Sequence, residues 1–404
     1  MTVQRMHDID VLRTIAVMMG IVFHGALSFM PSFIGWAVMD VSTSSAIPAL
    51  VVISHSFRMP LFFMLAGFFT TLALRHCSIW NLAKSRLIRL GIPFILGWLL
   101  LRPLLVAGWI AGSQDMRGEI NFASVWQGTL ATFEQLPQGL FIGIHLWFLY
   151  YLLLVTAIML VVYSVAKPLL SVKTQKRANW HLAATRLSVV AMTAVCMWFM
   201  SSWSIDTPDK SLLPQLPVLA LYGICFAIGA LLSQCNALFT ELTRLSWYSL
   251  ITMCFAITAC LYLANFERQF SHPYYAVIKL GYALAYAVTM WSIIANLMGC
   301  CRRYFAKPNA ISRYLADAAY SVYLLHLPVV IFVQIGVSEL DFSWWIKLPL
   351  VFVVSLFVSL GLYDVLVRAT WFGKLLNGKV NRSIVLAFVM QGRQRGSDES
   401  KRIA

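Results

Sequence analysis

Apolar residues run in ten stretches along the chain, at roughly 10–30, 47–74, 90–112, 141–165, 187–204, 212–232, 246–266, 275–299, 316–338 and 344–366. A helix rises about 1.5 Å per residue, so about 20 apolar residues cross a bilayer core. The pattern predicts an all-α polytopic membrane helix bundle of about ten transmembrane helices. The second stretch is long enough to tilt, kink or project from the membrane. The fifth is the shortest. The longest polar link runs from about 113 to 140, and Pro137 and Gly139 break its end. No sequence repeat of fixed period is visible.

Polar residues inside these stretches are the informative exceptions. The first stretch, DVLRTIAVMMGIVFHGALSFM, carries Arg13 and His24. Eleven residues apart, they lie about 20° apart on one helix face and about 16 Å apart along it. Ionisable groups inside a span are costly and usually face a polar cavity. The second stretch places His55 and Arg58 on one face, three residues apart. Pro60 removes a backbone donor just after them and should kink the helix, and Gly67 permits a close helix approach. The third carries Arg102 beside Pro103, and an arginine at that depth needs an anionic or carbonyl partner. The fourth opens HLWFLYYLL, which sets His145 near the outer surface; an interface belt with Trp147 and Tyr150 is the plainer reading. The ninth, AYSVYLLHLP, gathers Tyr320, Ser321, Tyr323 and His326 before Pro328, with His326 at mid-membrane. Lys279 in the eighth either snorkels or pairs. Between the second and third stretches, Arg86 and Arg89 form an R-x-x-R pair on one side of a helix. Such a pair suits bidentate phosphate binding, or it merely anchors topology.

Composition agrees with the pattern. The chain has 404 residues, 60% hydrophobic and 12% charged, with mean hydropathy +0.76. Soluble domains average about 25% charged. The first stretch does not read as a cleavable signal, because Asp8, Asp10 and Arg13 sit where a signal peptide would be basic or apolar. The net charge of +15 suggests nucleic acid only until its distribution is seen. Twenty-three Lys and Arg fall in the N-terminus, the tail and one set of alternate links, against four in the opposite set. That bias predicts both termini in the cytoplasm and no nucleic-acid partner. The eight cysteines form no disulfide framework and no zinc-like spacing with histidine. His24, His55 and His326 have no carboxylate at ligand spacing, so no metal is expected. No P-loop, dinucleotide fingerprint, zincin motif or nucleophile elbow is present. Residues 1–366 read as one membrane-embedded domain and 367–404 as a basic cytoplasmic tail that contacts solvent or lipid headgroups.

These residues together carry a resemblance. Arg13 to His24 resembles the R-x10-H signature on the first helix of the acyltransferase-3 family of integral membrane O-acyltransferases. Arg86 and Arg89 match its R-x-x-R, PLFFMLAGFF is similar to its second-helix segment, and SVYLLHLP resembles its late helix ending in histidine and proline. HSFRM, the run through GIP, HLWFL and YLLHLP more narrowly resemble the family's glucan biosynthesis protein C branch. Arg102 matches no motif of the family. The resemblance implies a multi-pass enzyme of a bacterial inner membrane, moving an acyl group from cytoplasmic acyl-CoA to a hydroxyl of a periplasmic glucan or another envelope carbohydrate. The branch implies succinyl-CoA as donor. Arg86 and Arg89 would hold the anionic CoA head, with Arg13 near them. His24 would act as general base or transient acyl carrier, and Arg58, Arg102 or Tyr323 would stabilise the oxyanion. His326 and His55 would orient His24 or the sugar, and His145 would line the acceptor side. The competing reading is a transporter or flippase whose charged groups line a permeation path; inverted halves with broken helices would favour it, and none is visible.

Overall fold

The computed structural model describes residues 6–134, 144–169, 182–377 and 383. Each of the ten apolar stretches is a helix in it: α1 (His7–Ala26), α2 (Ile47–Leu74), α4 (Ile92–Asp115), α6 (Trp147–Leu169), α7 (Leu182–Trp198), α8 (Leu216–Leu232), α10 (Trp247–Ala264), α11 (Tyr275–Tyr304), α12 (Ala310–Val337) and α13 (Trp344–Leu362). Four shorter helices join them: α3 (Ile79–Arg86), α5 (Phe122–Glu134), α9 (Asn236–Leu242) and α14 (Trp371–Asn377). No strand occurs among the described residues. Among the described residues, eight of the helices, with the turns that extend them, are long and apolar enough to cross a membrane. The pair α8 and α9, bent by 115°, makes a ninth if both belong to one crossing, and α7 is short at 17 residues. Pro137, Gly139, the basic link 170–181 and most of the tail lie outside the described residues.

Local chemistry sets several boundaries. Ser78, Ser246 and Asn309 each accept a backbone N–H from the first turn of α3, α10 and α12, satisfying donors that the helix leaves open. A π-helical segment, Leu87–Gly91, carries α3 into α4. The link between α4 and α6 is less irregular than its polarity suggests. It turns at Gly118 and folds back as α5, where Gly128 sits against Ile110 of α4.

α1, α2 and α12 form the buried centre. α8 lies along α2 through a reciprocal glycine contact, in which a Cβ at Gly67 would overlap the Phe226 carbonyl and one at Gly229 the Met64 carbonyl. Small residues let helix backbones approach this closely where no hydrophobic effect drives them together. At the end of the bundle where α13 begins, Lys347, one of the four basic residues in the opposite set of links, meets Asp40. Neither is a topology-setting surface charge. Lys347 Nζ donates to Asp40 at 2.8 Å and to the Ser338 carbonyl at 2.9 Å, with Lys347 wholly buried. Asp40 also accepts the Ser42 N–H at 2.7 Å. This pair fastens the 30–46 loop to α12 and α13.

Candidate functional site

The site begins with the glycine one turn before His24. Side chains on a helix lean toward its N-terminus, so a residue lies over the one four positions earlier. Under His24 that residue is Gly20, which has no side chain to fill the space. Arg58 of α2 and His326 of α12 project into it. An alanine methyl at Gly20 would lie 3.5 Å from Arg58 Nη1 and 3.8 Å from His326 Nε2. His145 and Tyr323 complete the polar wall, and Ala16, Val17, Met59 and Phe62 the apolar one, around a cavity of about 20 Å³. That is room for one water-sized group such as a hydroxyl.

Backbone carbonyls fix two of the imidazoles. Pro328 has no N–H, so the carbonyl of Leu324, four residues earlier, loses its helical partner. His145 Nε2 donates to that carbonyl at 2.9 Å. His326 Nδ1 donates to the Tyr323 carbonyl at 2.7 Å. A carbonyl only accepts, so both partnered nitrogens carry the proton, leaving His145 Nδ1 and His326 Nε2 as lone pairs. Both lone pairs are buried without a hydrogen-bond partner among the described residues, as are His24 Nδ1 and Arg58 Nε. Buried polar atoms are almost always partnered. The four open nitrogens belong to residues that line one cavity, and its polar wall suits a polar group. The rings of His24 and His326 lie 5.3 Å apart, and those of His145 and His326 5.5 Å apart. Arg58, only 4% exposed, stacks on the Phe23 ring at 4.4 Å and makes no ion pair among the described residues.

Five of the ten candidates thus meet in one cavity: His24, Arg58, His145, Tyr323 and His326. The sequence expectation for His145 is corrected. It lies within the bundle, not at an outer surface, because the turn Ile144–Leu146 packs against α12 and Leu146 meets Gly97 well inside α4. Tyr323 donates its hydroxyl proton to the His145 carbonyl at 2.6 Å, so this proton is already engaged. The other five lie elsewhere. His55 donates through Nε2 to the Ile205 carbonyl at 2.8 Å and stacks on Phe23 opposite Arg58. Arg13 binds the Ala316 carbonyl at 2.6 Å and pairs with Asp10 at 3.5 Å, tying α1 to α12 about two helical turns before Gly20. Arg102 meets the Thr132 carbonyl of α5 at 3.4 Å and the Trp98 ring at 5.2 Å, so the carbonyl partner its depth requires comes from α5. Arg86 donates to Thr70 Oγ1 at 3.2 Å and is half-buried, while Arg89 is exposed. The π-helical turn widens the helix here, so the two arginines do not share one burial environment as an α-helical spacing of three would give. Lys279, undecided from sequence, rests over the Trp198 ring at 5.4 Å.

Three further residues of the site, Gly20, Gln334 and Trp36, stand outside the motifs of the sequence. Gly20 was findable, since it sits on the Arg13–His24 stripe. Gln334 and Trp36 were not. The Gln334 side-chain amide lies 3.0 Å from the carbonyls of His24 and Gly25 and from Ser28 Oγ, and it accepts the Trp36 indole N–H at 3.0 Å. Trp36 in turn stacks on His24 at 5.5 Å. Among the described residues, no group of three His, Cys, Asp or Glu is arranged to hold a metal ion.

Comparison with known proteins gives the family of the chain. Residues 6–364 match the acyltransferase domain that defines the acyltransferase-3 family. The glucans biosynthesis protein C of Escherichia coli K12, of Escherichia coli O81 strain ED1a and of Escherichia coli O157:H7 are each 23% identical to the chain over 391 residues, spanning 93% of it and 95% of the relative. No solved structure matches. With a family match across nine-tenths of its length and a buried polar cavity at the centre of its helices, the chain belongs to the acyltransferase-3 family of membrane acyltransferases.

Proposed function

We propose that the protein transfers an acyl group from acyl-CoA to a hydroxyl of an envelope carbohydrate in a bacterial inner membrane, and that the reaction occurs in the cavity beside Gly20. The observation that carries this is the set of four buried, unpartnered nitrogens on His24, Arg58, His145 and His326 around a space of hydroxyl size. His24 takes the proton of the acceptor hydroxyl as its oxygen attacks the thioester carbonyl carbon. The carbonyl oxygen becomes the tetrahedral oxyanion, and Arg58 donates to it from a site with no competing ion pair among the described residues. Collapse expels the CoA thiolate, which recovers the proton from His24, giving the ester and free CoA thiol. His326, its tautomer set by the Tyr323 carbonyl, holds a lone pair toward the same space and orients the His24 proton. Arg86, Arg89 and Arg13 hold the CoA phosphates at the end of the bundle where α1 begins. The branch resemblance supports succinyl as the acyl group and a periplasmic glucan as acceptor, and the name of the Escherichia coli relatives agrees with a role in glucan synthesis.

The test is thioester consumption by purified full-length protein given succinyl-CoA and a glucan acceptor. Free thiol should appear only with both substrates, and His24→Ala should reduce it by about 10²–10⁴-fold, the range for a general base. Turnover by His24→Ala at the parent's rate would overturn the assignment.

A further inference from the structure

A second cavity lies on the opposite flank of α11, with none of the histidine site's residues in its walls. Two polar contacts create it. Trp291 Nε1 donates to Thr193 Oγ1 at 3.0 Å and holds α7. Ser249 Oγ donates to Asn296 Oδ1 at 3.1 Å and holds α10. Trp291 and Asn296 are five residues apart, so they leave α11 about 140° from one another. α7 and α10 are therefore fastened to well-separated faces of α11, and a groove of about 620 Å³ stays open between them. This volume is in the range of small-molecule sites.

The groove is chemically graded. Its depth is apolar, with Val189 and Val190 of α7, Ile228 of α8 and Val288 and Ala295 of α11. Its mouth is cationic, with Arg186 and Arg244. Glu241 offsets only one charge: it pairs with Arg186 at 3.9 Å, while the Arg244 side chain makes no hydrogen bond or ion pair among the described residues. Arg302 stands behind the mouth, bonded to Thr243 Oγ1 at 3.1 Å. Trp247 and Tyr248, 80% and 84% exposed, flank it at the start of α10. Exposed Trp and Tyr at a helix end mark the headgroup level of a bilayer. From Tyr248 to Thr252 along α10, the groove runs about 6 Å from that level into the hydrocarbon depth.

We infer that this groove holds one anionic phospholipid of the surrounding bilayer, its phosphate between Arg186 and Arg244 and an acyl chain between α7 and α10. A soluble anion would have no use for the apolar depth. A neutral chain would have no use for the arginines. α10 is the span that gains from an occupant, since Ala256 and Cys260 are its only buried residues. The inference does not depend on the proposed reaction.

The test uses full-length protein purified in a mild detergent, with retained lipid extracted and identified by mass spectrometry. Phosphatidylglycerol or another anionic phospholipid should remain at about one per chain. Arg244→Glu should lower its retention roughly tenfold or more, as expected for exchanging a headgroup-level arginine for a repelling charge. Ala295→Trp, which fills the groove and leaves its charge unchanged, should lower retention of any phospholipid. Thermal unfolding in added phosphatidylglycerol should rise for the parent and not for Ala295→Trp. His24→Ala should retain lipid like the parent. Unchanged retention in both groove variants, or equal retention of zwitterionic lipid by the parent, would overturn the inference. So would displacement of the lipid by acyl-CoA, which would make the groove a donor site.

Discussion

Gly20→Ala separates the proposed chemistry from the fold. The methyl would meet Arg58 Nη1 at 3.5 Å and His326 Nε2 at 3.8 Å, both ordinary contact distances, so no neighbour must move. Gly20 is interior to α1, where alanine is favoured over glycine by about 0.5–1 kcal/mol. Against that gain, the methyl shields two polar atoms. The net change in stability should lie within about 1 kcal/mol of zero. The effect on turnover should be far larger, because the cavity is only about 20 Å³ and the methyl fills it. Displacing reacting atoms by about 1 Å can cost about 10²-fold, which corresponds to about 2.7 kcal/mol on the barrier. The assay is thiol release from acyl-CoA by protein in detergent, with thermal unfolding of the same preparation. Gly281→Ala on α11 is the control: its methyl meets only Leu263, at 3.7 Å, and turnover should be unchanged. If Gly20→Ala turns over within threefold of the parent while folding normally, the reacting atoms are not beside Gly20 and the site is misassigned.

Other outcomes follow from the same geometry. Gln334→Leu should lower kcat roughly tenfold with little change in KM for the donor, because it frees the backbone under His24 and the Trp36 ring above it; an unchanged kcat would show that His24 needs no such clamp. Arg86→Ala should raise KM for acyl-CoA roughly tenfold, the loss of one charge-assisted contact, and equal donor affinity in variant and parent would leave Arg86 a structural anchor to Thr70. In competition between acetyl-CoA and succinyl-CoA the parent should prefer succinyl-CoA, and a parent that prefers acetyl-CoA removes the succinyl assignment. Asp40→Ala should destabilise the fold by about 3–5 kcal/mol by stranding the buried Lys347 ammonium. A double variant, Asp40→Ala with Lys347→Met, should recover most of that loss, and failure to recover would mean that the loop is held by other contacts.

The helices were legible because membrane spans announce themselves by length and hydropathy alone. The stripe from Arg13 to His24 was legible because one helix fixes both residues to one face. Pro328 gave a readable signal too: it frees a carbonyl, and a buried carbonyl needs a donor. What could not be read was which donor arrives. His145 stands 179 residues from Leu324, and HLWFLYYLL has the composition of an interface segment wherever it lies. Its depth depends on the chain returning into the bundle after α5, which apolar periodicity does not encode. The identity of the Arg102 partner was hidden for a related reason, since the carbonyl that meets it belongs to a helix inside a polar-looking link. Asp40 and Lys347, 307 residues apart, look like loop charges in the sequence because only tertiary structure brings them together. Gln334 is the one polar residue in the apolar run of α12 after His326, and its four contacts come from α1, from the turn that follows it and from the loop beyond.

The cavity's two ends differ, and the difference bears on how a two-substrate reaction works inside a helix bundle. Ala16 and Val17 continue from Gly20 toward Arg13 on α1, and Met59 and Phe62 continue from Arg58 in the same direction on α2, which runs antiparallel. The apolar part of the cavity therefore points toward the end that carries Arg13, Thr70 and Arg86. At the opposite end Trp36 stacks on His24 and is held by Gln334. A donor with a phosphorylated head and a thioester tip suits the first approach, with cations at the mouth and apolar walls beyond. A polyhydroxylated acceptor suits the second, where an indole ring and hydrogen-bonding groups stand beside the base. In the proposed reaction neither substrate has to cross the bundle. Only the acyl group passes from donor to acceptor, and it does so at His24, where the two approaches meet.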